Sequence, residues 1–193
     1  MSILEQIYAK AKLNPQRVAF PEAANEKMMQ AAYETGKEGL IRPVLVGDGA
    51  ELRALCKERG YEEEVFKIID IKEETYREKL IAAYVALPGT LLKERAVGRR
   101  MENPLYYAMV MQAVDEADVT FAGIDNTTGE VLIAGQTIIG LKPGISTISS
   151  IGLCDIPGFE GSEGSLLAVG DSAVCTNPTK EQLADIAISA CET

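Results

Sequence analysis

RVAFPEAANEKMMQAAYETGKEGLIRPVLVGD, from Arg17 to Asp48, places two short β-type runs on either side of a helical stretch. Residues 18–21 read as a strand and residues 43–47 as a second, both apolar and too short for helices. Between them Asn25 has the form of an N-cap, and Met28, Met29, Ala32 and Tyr33 recur at helical spacing. That helix runs to about Lys37, with Gly36 or Gly39 closing it. The same alternation continues along the chain and predicts parallel strands covered by helices.

Towards the N-terminus, Ile3, Leu4, Ile7 and Tyr8 sit at helical spacing before the stop at Asn14-Pro15. Towards the C-terminus, residues 49–59 read as a helix and 66–71 as a strand. Residues 73–87 and 91–101 are helices parted by Pro88-Gly89. Asn103-Pro104 opens a helix to about Glu116, with Leu105, Met109 and Ala113 inward. Residues 118–122 form a strand leading to a loop at Asn126, and residues 130–140 a helix broken by Lys142-Pro143-Gly144. Residues 146–153 and 166–169, with 172–175, read as strands, antiparallel across Gly170-Asp171, and 158–164 as an exposed loop. Last, Thr179 and Gln182 have the spacing of a capping box, and Leu183, Ile186, Ala187 and Ala190 make an apolar stripe with no closing Gly or Asn.

The 193 residues carry a net charge of −10, and no cationic run exceeds Arg99-Arg100. Nucleic acid and anionic membranes are therefore not expected partners. The apolar stretches are too short to span a bilayer, and the N-terminus lacks the form of a signal peptide. With no histidine, Ser-His-Asp and Cys-His nucleophiles and histidine metal sites are excluded. Cys56, Cys154, Cys175 and Cys191 show no C-x-x-C spacing and read as reduced packing residues of a cytoplasmic protein.

Several stretches, in order, resemble the phosphate acetyltransferase and phosphate butyryltransferase family. Residues 17–23 are similar to its first strand ending in Pro-Glu, and Arg42-Pro43-Val44-Leu45-Val46-Gly47-Asp48 to its second strand. Gly123-Ile124-Asp125-Asn126-Thr127-Thr128-Gly129-Glu130 resembles the family's Gly-x-x-His-Thr-Thr-x-Asp loop, with Asn126 in the histidine's place. Thr147-Ile148-Ser149-Ser150 resembles its double-serine strand. Asp171-Ser172-Ala173-Val174, Asn177-Pro178-Thr179 and the Glu-Gln-Leu-Ala-Asp-Ile-Ala helix from Glu181 complete the order.

The resemblance implies an α/β, three-layer αβα fold with a mostly parallel sheet, of the isocitrate and isopropylmalate dehydrogenase architecture. Domain one takes residues 1–143, and residues 144–193 begin an incomplete second domain. It implies acyl transfer, acetyl or butyryl, between coenzyme A and inorganic phosphate by a homodimer with no permanently bound cofactor. No dinucleotide fingerprint is present. Substrate contacts are expected from Asn126, Thr127, Thr128 and Gly129 and from Ser149 and Ser150. For the residues themselves a second reading stands beside this one: Asn126 and Thr127 cap the following helix, and the serines bond nearby backbone. Asp171 either turns with Gly170 or faces the cleft, Arg99 and Arg100 either meet phosphates or form a solvated face, and Glu22 reads as a solvated turn residue. The family's thiol-activating Asp and carbonyl-polarising Arg are expected beyond Thr193, so no catalytic residue and no metal ligand is assigned here. Where acetyl-specific members carry an arginine beyond the Thr-Thr loop this chain has Ile133, where another family arginine lies it has Leu87, and Lys27 stands where many members have an arginine after Pro-Glu. A ligand-binding or regulatory relative without catalysis is the alternative.

Overall fold

Strand β1 (Gln16–Phe20) has both faces covered, because successive side chains in a strand point to opposite sides. Val18 and Phe20 join Leu45, Met28, Met29, Leu52 and Cys56 in one core. Ala19 joins Val44, Val46, Ile69, Leu80, Tyr84 and Val97 in another. A sheet buried on both faces with near-continuous apolar strands is the parallel, doubly covered kind. The computed structural model describes residues 3–162 and 164–192. Glu163, within the 158–164 loop of the sequence reading, lies outside the described residues, as does Thr193.

The chain divides into two compact units, one spanning Ile7–Gly140 and the other running from Leu141 onward with the N-terminal residues through Gln6. Helix α1 (Ile3–Leu13) precedes β1, and α2 (Glu26–Lys37), β2 (Ile41–Gly47), α3 (Gly49–Glu58), a 3-10 turn (Glu63–Val65) and β3 (Lys67–Asp70) follow it. Next come α4 (Glu74–Val85), α5 (Glu94–Arg100), α6 (Pro104–Ala113), β4 (Val119–Thr120) and α7 (Thr128–Ile138). The first unit's sheet has the order β3-β2-β1-β4, all parallel. Helices α2 and α3 supply one outer layer and α4 to α7 the other, which makes three layers, α on β on α.

Local chemistry explains these elements. Asn25 caps α2 by accepting from the N–H of Lys27 at 3.1 Å, and Asp48 caps α3 from Ala50 and Glu51. At the other end of α2, Gly39 takes φ +70° while its N–H and that of Leu40 bond back to Gly36 and Thr35. That is a Schellman closure, which a residue with a Cβ would strain. Pro43 is tolerated inside the sheet because the β2–β3 ladder begins one residue later, at Val44 opposite Lys67. Helix α6 is buried well beyond the expected side: Tyr107, Ala108, Val110 and Met111 are enclosed along with Leu105 and Met109.

Arg17 ties β1 to the turn before β4. Its backbone N–H and Nε donate to Asp118 Oδ2 at 2.6 and 3.1 Å, and its Nη2 reaches Asp118 Oδ1 at 2.6 Å and Asp115 at 2.9 Å. These bonds lower the Asp118 carboxyl to a pKa of about 2.

In the second unit, β5 (Ile151–Asp155) and β6 (Leu166–Gly170) form an antiparallel hairpin, and α8 (Lys180–Cys191) follows. Residues 146–150 and 172–175, read from the sequence as strand, form no ladder. Side-chain carboxylates take their backbone donors instead: Asp185 accepts from the N–H of Ser146, and Asp171 from those of Ser150, Ala173, Val174 and Cys175. The Thr179–Gln182 capping box of α8 is present in both directions. Along the stripe of α8 Ile186 is buried, whereas Leu183 is 53% exposed. Of the cysteines, Cys56 is packed, but Cys154 and Cys191 are exposed, so the packing reading does not extend to those two.

Truncating Leu45, wholly enclosed between β1 and the α2–α3 layer, is expected to cost about 3 kcal/mol through lost burial and a residual cavity. Urea denaturation of Leu45→Ala against the parent measures it. A second expectation concerns acid. Because the Asp118 pKa is lower folded than unfolded, its contribution is complete above the ordinary Asp range and is lost as pH falls towards about 2. Asp118→Asn should therefore flatten the acid limb of a plot of Tm against pH.

Candidate substrate-binding site

Strand order locates the site. From β1 the chain steps to β2 and then β3 on one side and returns with β4 on the other, so the order reverses between β1 and β4. Loops leaving the carboxyl ends of strands diverge at such a point and leave a crevice there. The two loops are residues 21–25 after β1 and residues 121–127 after β4.

Glu22 joins them. Its side chain is buried at 5% exposure, with no cation among the described residues in any contact it makes. Oε2 accepts from the backbone N–H of Gly123 and of Ile124, each at 2.8 Å. Oε1 accepts from the Asn126 backbone N–H at 2.8 Å and from Asn126 Nδ2 at 2.7 Å. Burial alone pushes this carboxyl up, but the donors of Ile124, Asn126 and Gly123 outweigh it and hold the pKa below the usual range. Gly123 makes the geometry reachable: at φ +118° it turns two consecutive N–H groups towards one oxygen. This is also why β4 is only two residues long. After Phe121 donates to Ala19 O at 2.9 Å, the amides of Gly123 and Ile124 turn to Glu22 instead of the sheet.

The sequence-predicted residues divide accordingly. Asn126 binds Glu22 rather than capping α7. Thr127 is the N-cap: its Oγ1 accepts from the N–H of Glu130 at 3.3 Å, and its own N–H donates to Glu130 Oε2 at 2.7 Å. Thr128 and Gly129 are exposed in the first turn of α7, where backbone N–H groups have no intrahelical acceptor. The Glu130 carboxylate, lowered in pKa by the Thr127 N–H, already occupies part of that positive helix end. Asn25 Nδ2 donates to Asp125 Oδ1 at 2.8 Å and ties the loops a second time.

A cavity of about 270 Å³ opens on Glu22 and Asn126. Asp48, Glu51 and Asp125 share its lining, so its charged lining residues are carboxylates, with Asp48 paired to Lys72. A larger cavity of about 710 Å³ lies at the amino ends of the strands, lined by Arg17, Arg42 and Lys67. Its cations are largely spent. Arg17 holds Asp115 and Asp118, Lys37 holds Glu62, and Lys67 lies 3.9 Å from Glu116. The C-terminal end of α2, with Gly36 and Gly39, also lines it, and free carbonyls there oppose an anion. The switch-point crevice is the better-built site despite its smaller volume.

Ser149 and Ser150 belong to the second unit. The Ser150 hydroxyl donates to Asp171, and its Oγ accepts from the N–H of Ser172 at 3.3 Å, while Ser149 is half-buried and makes no described hydrogen bond. The Asp171 carboxyl is held far below the usual range, first by the Ser150 hydroxyl and then by the N–H of Ala173. Leu87 packs on the α4–α7 core, Ile133 is 57% exposed on α7, and Lys27 is exposed on the first turn of α2. Arg100 lies over the Tyr106 ring and donates to its hydroxyl at 2.7 Å, and Arg99 is exposed, an arrangement that matches a solvated face. Glu22 is the residue that sequence reasoning missed. The available signal was a lone charge between Val18-Ala19-Phe20-Pro21 and Ala23-Ala24, an apolar run that leaves little water for it.

The family model for phosphate acetyl/butaryl transferase matches residues 2–193. The chain is 32% identical to a phosphate acetyltransferase of Clostridium acetobutylicum and 33% identical to one of Treponema pallidum, in each case over all of this chain and 58% of the relative. A crystal structure of a phosphotransacetylase from Streptococcus pyogenes superimposes with a TM-score of 0.84 at 25% identity, over 97% of this chain and 57% of that one. The chain thus spans somewhat over half the length of the relatives it matches.

Asn126→His should place an imidazole N–H beside the Glu22 carboxylate, which favours the charged ring and raises its pKa above the ordinary value of about 6.5. The added stability is then complete below that value and disappears as pH rises through the raised pKa. Thermal midpoints between weakly acidic and weakly basic buffers should slope downward for the variant and stay flat for the parent; equal slopes would contradict the assigned contact.

Proposed function

The chain belongs to the phosphate acetyl/butaryl transferase family, and we propose that the protein moves an acyl group, acetyl or butyryl, between coenzyme A and inorganic phosphate. In the acyl-CoA-forming direction the thiolate sulfur attacks the carbonyl carbon of an acyl phosphate, the C–S bond forms, and phosphate leaves with the electrons of the C–O bond. The reading includes a cytoplasmic homodimer with coenzyme A as a substrate rather than a resident cofactor.

The observation that carries this reading is the family match along the chain, with its loop of residues 123–129 at the switch point of the sheet. Thr128 and Gly129 are the loop residues with groups left for a phosphoryl oxygen: two first-turn N–H groups and one hydroxyl. Asn126 and Thr127 contribute through the shape they hold, their polar groups being used internally. Within its own unit, and apart from that site, Ser149 has a hydroxyl without a described partner. The thiol base and the oxyanion donor are not assigned to this chain. Leu87 and Ile133, in place of guanidinium groups that pair with phosphate, favour a second reading as a ligand-binding relative.

NMR titration with acetyl phosphate is expected to shift the amides of Thr128 and Gly129 in the first unit. Thr128→Ala should weaken binding about fivefold, the worth of one hydrogen bond near 1 kcal/mol. Titration without shifts at either amide would overturn the substrate assignment. Loss of coenzyme A thiol catalysed by these 193 residues alone would overturn the assignment of no catalytic residue.

A further inference from the structure

We propose that the loop of residues 123–126 is a carboxylate-binding hole which the protein fills with its own Glu22 side chain. Four donors converge on two oxygens, two to each, at 2.7 to 2.8 Å. This matches a planar, two-oxygen, singly charged anion. Three of the donors are consecutive or near-consecutive backbone N–H groups arranged around the positive φ of Gly123, the form of an anion-binding nest. Because no cation among the described residues takes part, the hole offsets one negative charge and is poorly matched to the nearly doubly charged phosphate. Glu51 and Asp125 around the adjoining cavity oppose a phosphate further, while Asp48 there is paired with Lys72.

Glu22 is therefore an internal ligand, and residues 101–104 positions away in sequence are organised by it. The inference stands without the acyl-transfer reading. Its consequence for that reading is that the amides of Gly123, Ile124 and Asn126 are withdrawn from substrate, and any phosphoryl group meets Thr128 and Gly129 instead. Glu22 acts as a positioning residue for them.

Removing the side chain while keeping the donors is the direct test. Glu22→Ala empties the hole, and the cavity beside it gives a small anion a route in. Formate or acetate, added at constant ionic strength, should raise the thermal midpoint of Glu22→Ala by several degrees and leave the parent unchanged, while chloride and phosphate should do much less. Equal effects on variant and parent, no effect on either, or rescue by phosphate as strong as by formate would each overturn the proposal. Folding of Glu22→Ala only in formate would support it. If Glu22→Ala stays unfolded in all these salts, Glu22→Gln decides. Its neutral amide keeps the volume but turns an NH2 towards the donors. Fast amide exchange at Gly123, Ile124 and Asn126 with a protected Leu45 is the supporting result, and undiminished protection of the three is the contrary one.

Discussion

The buried carboxylate of Glu22 fixes the place where this fold concentrates its polar chemistry. Leaving it in an apolar surround without partners would cost several kcal/mol, and the chain avoids this with four N–H donors rather than with a counter-ion. The bonds end β4 after two residues, set the turn at Gly123 and bring the start of α7 to the reversal of strand order between β1 and β4. Arg17 performs the complementary task at the other end of the same two strands, where Asp115 and Asp118 close the turn before β4. Between these polar clasps the two apolar clusters supply the bulk of the stability, and the clasps supply the register.

Much of the architecture was legible because it rests on local rules. The stretch from Arg17 to Asp48 displays strand, capped helix and strand in order. Its alternation of Val18, Ala19 and Phe20 between two cores is what a parallel sheet covered on both faces requires. Asn25, Asn103 and Thr179, which the sequence places at helix starts, cap α2, α6 and α8 with their side chains on first-turn amides, and Asp48, not read as a cap, does the same for α3. The fold-level expectation of three layers with a mostly parallel sheet follows from such signals and from the family resemblance together.

The candidate site was less legible, for a physical reason. Spacing reveals a loop but not the partner of its amides, since Glu22 and Asn126 are 104 residues apart. Asn126 offered the sequence two roles, helix cap or substrate contact. The structure gives it a third, as donor to an internal anion, and leaves the capping to Thr127. The same blindness explains the second unit. Residues 172–175 have the composition of a strand, yet Asp171 gathers their amides into a turn. A carboxylate that collects backbone donors competes with a ladder, and hydrophobic periodicity contains no term for it.

The conformation of the loop depends on Glu22 being ionised and held by donors, not merely buried. Following its side-chain carboxyl carbon by NMR through the acid range measures this directly. A midpoint below that of an ordinary glutamate, about 4.3, is predicted from the dominance of the Gly123, Ile124 and Asn126 donors over burial. A midpoint at or above that value would show a carboxyl governed by burial and would contradict the internal-anion account of the loop.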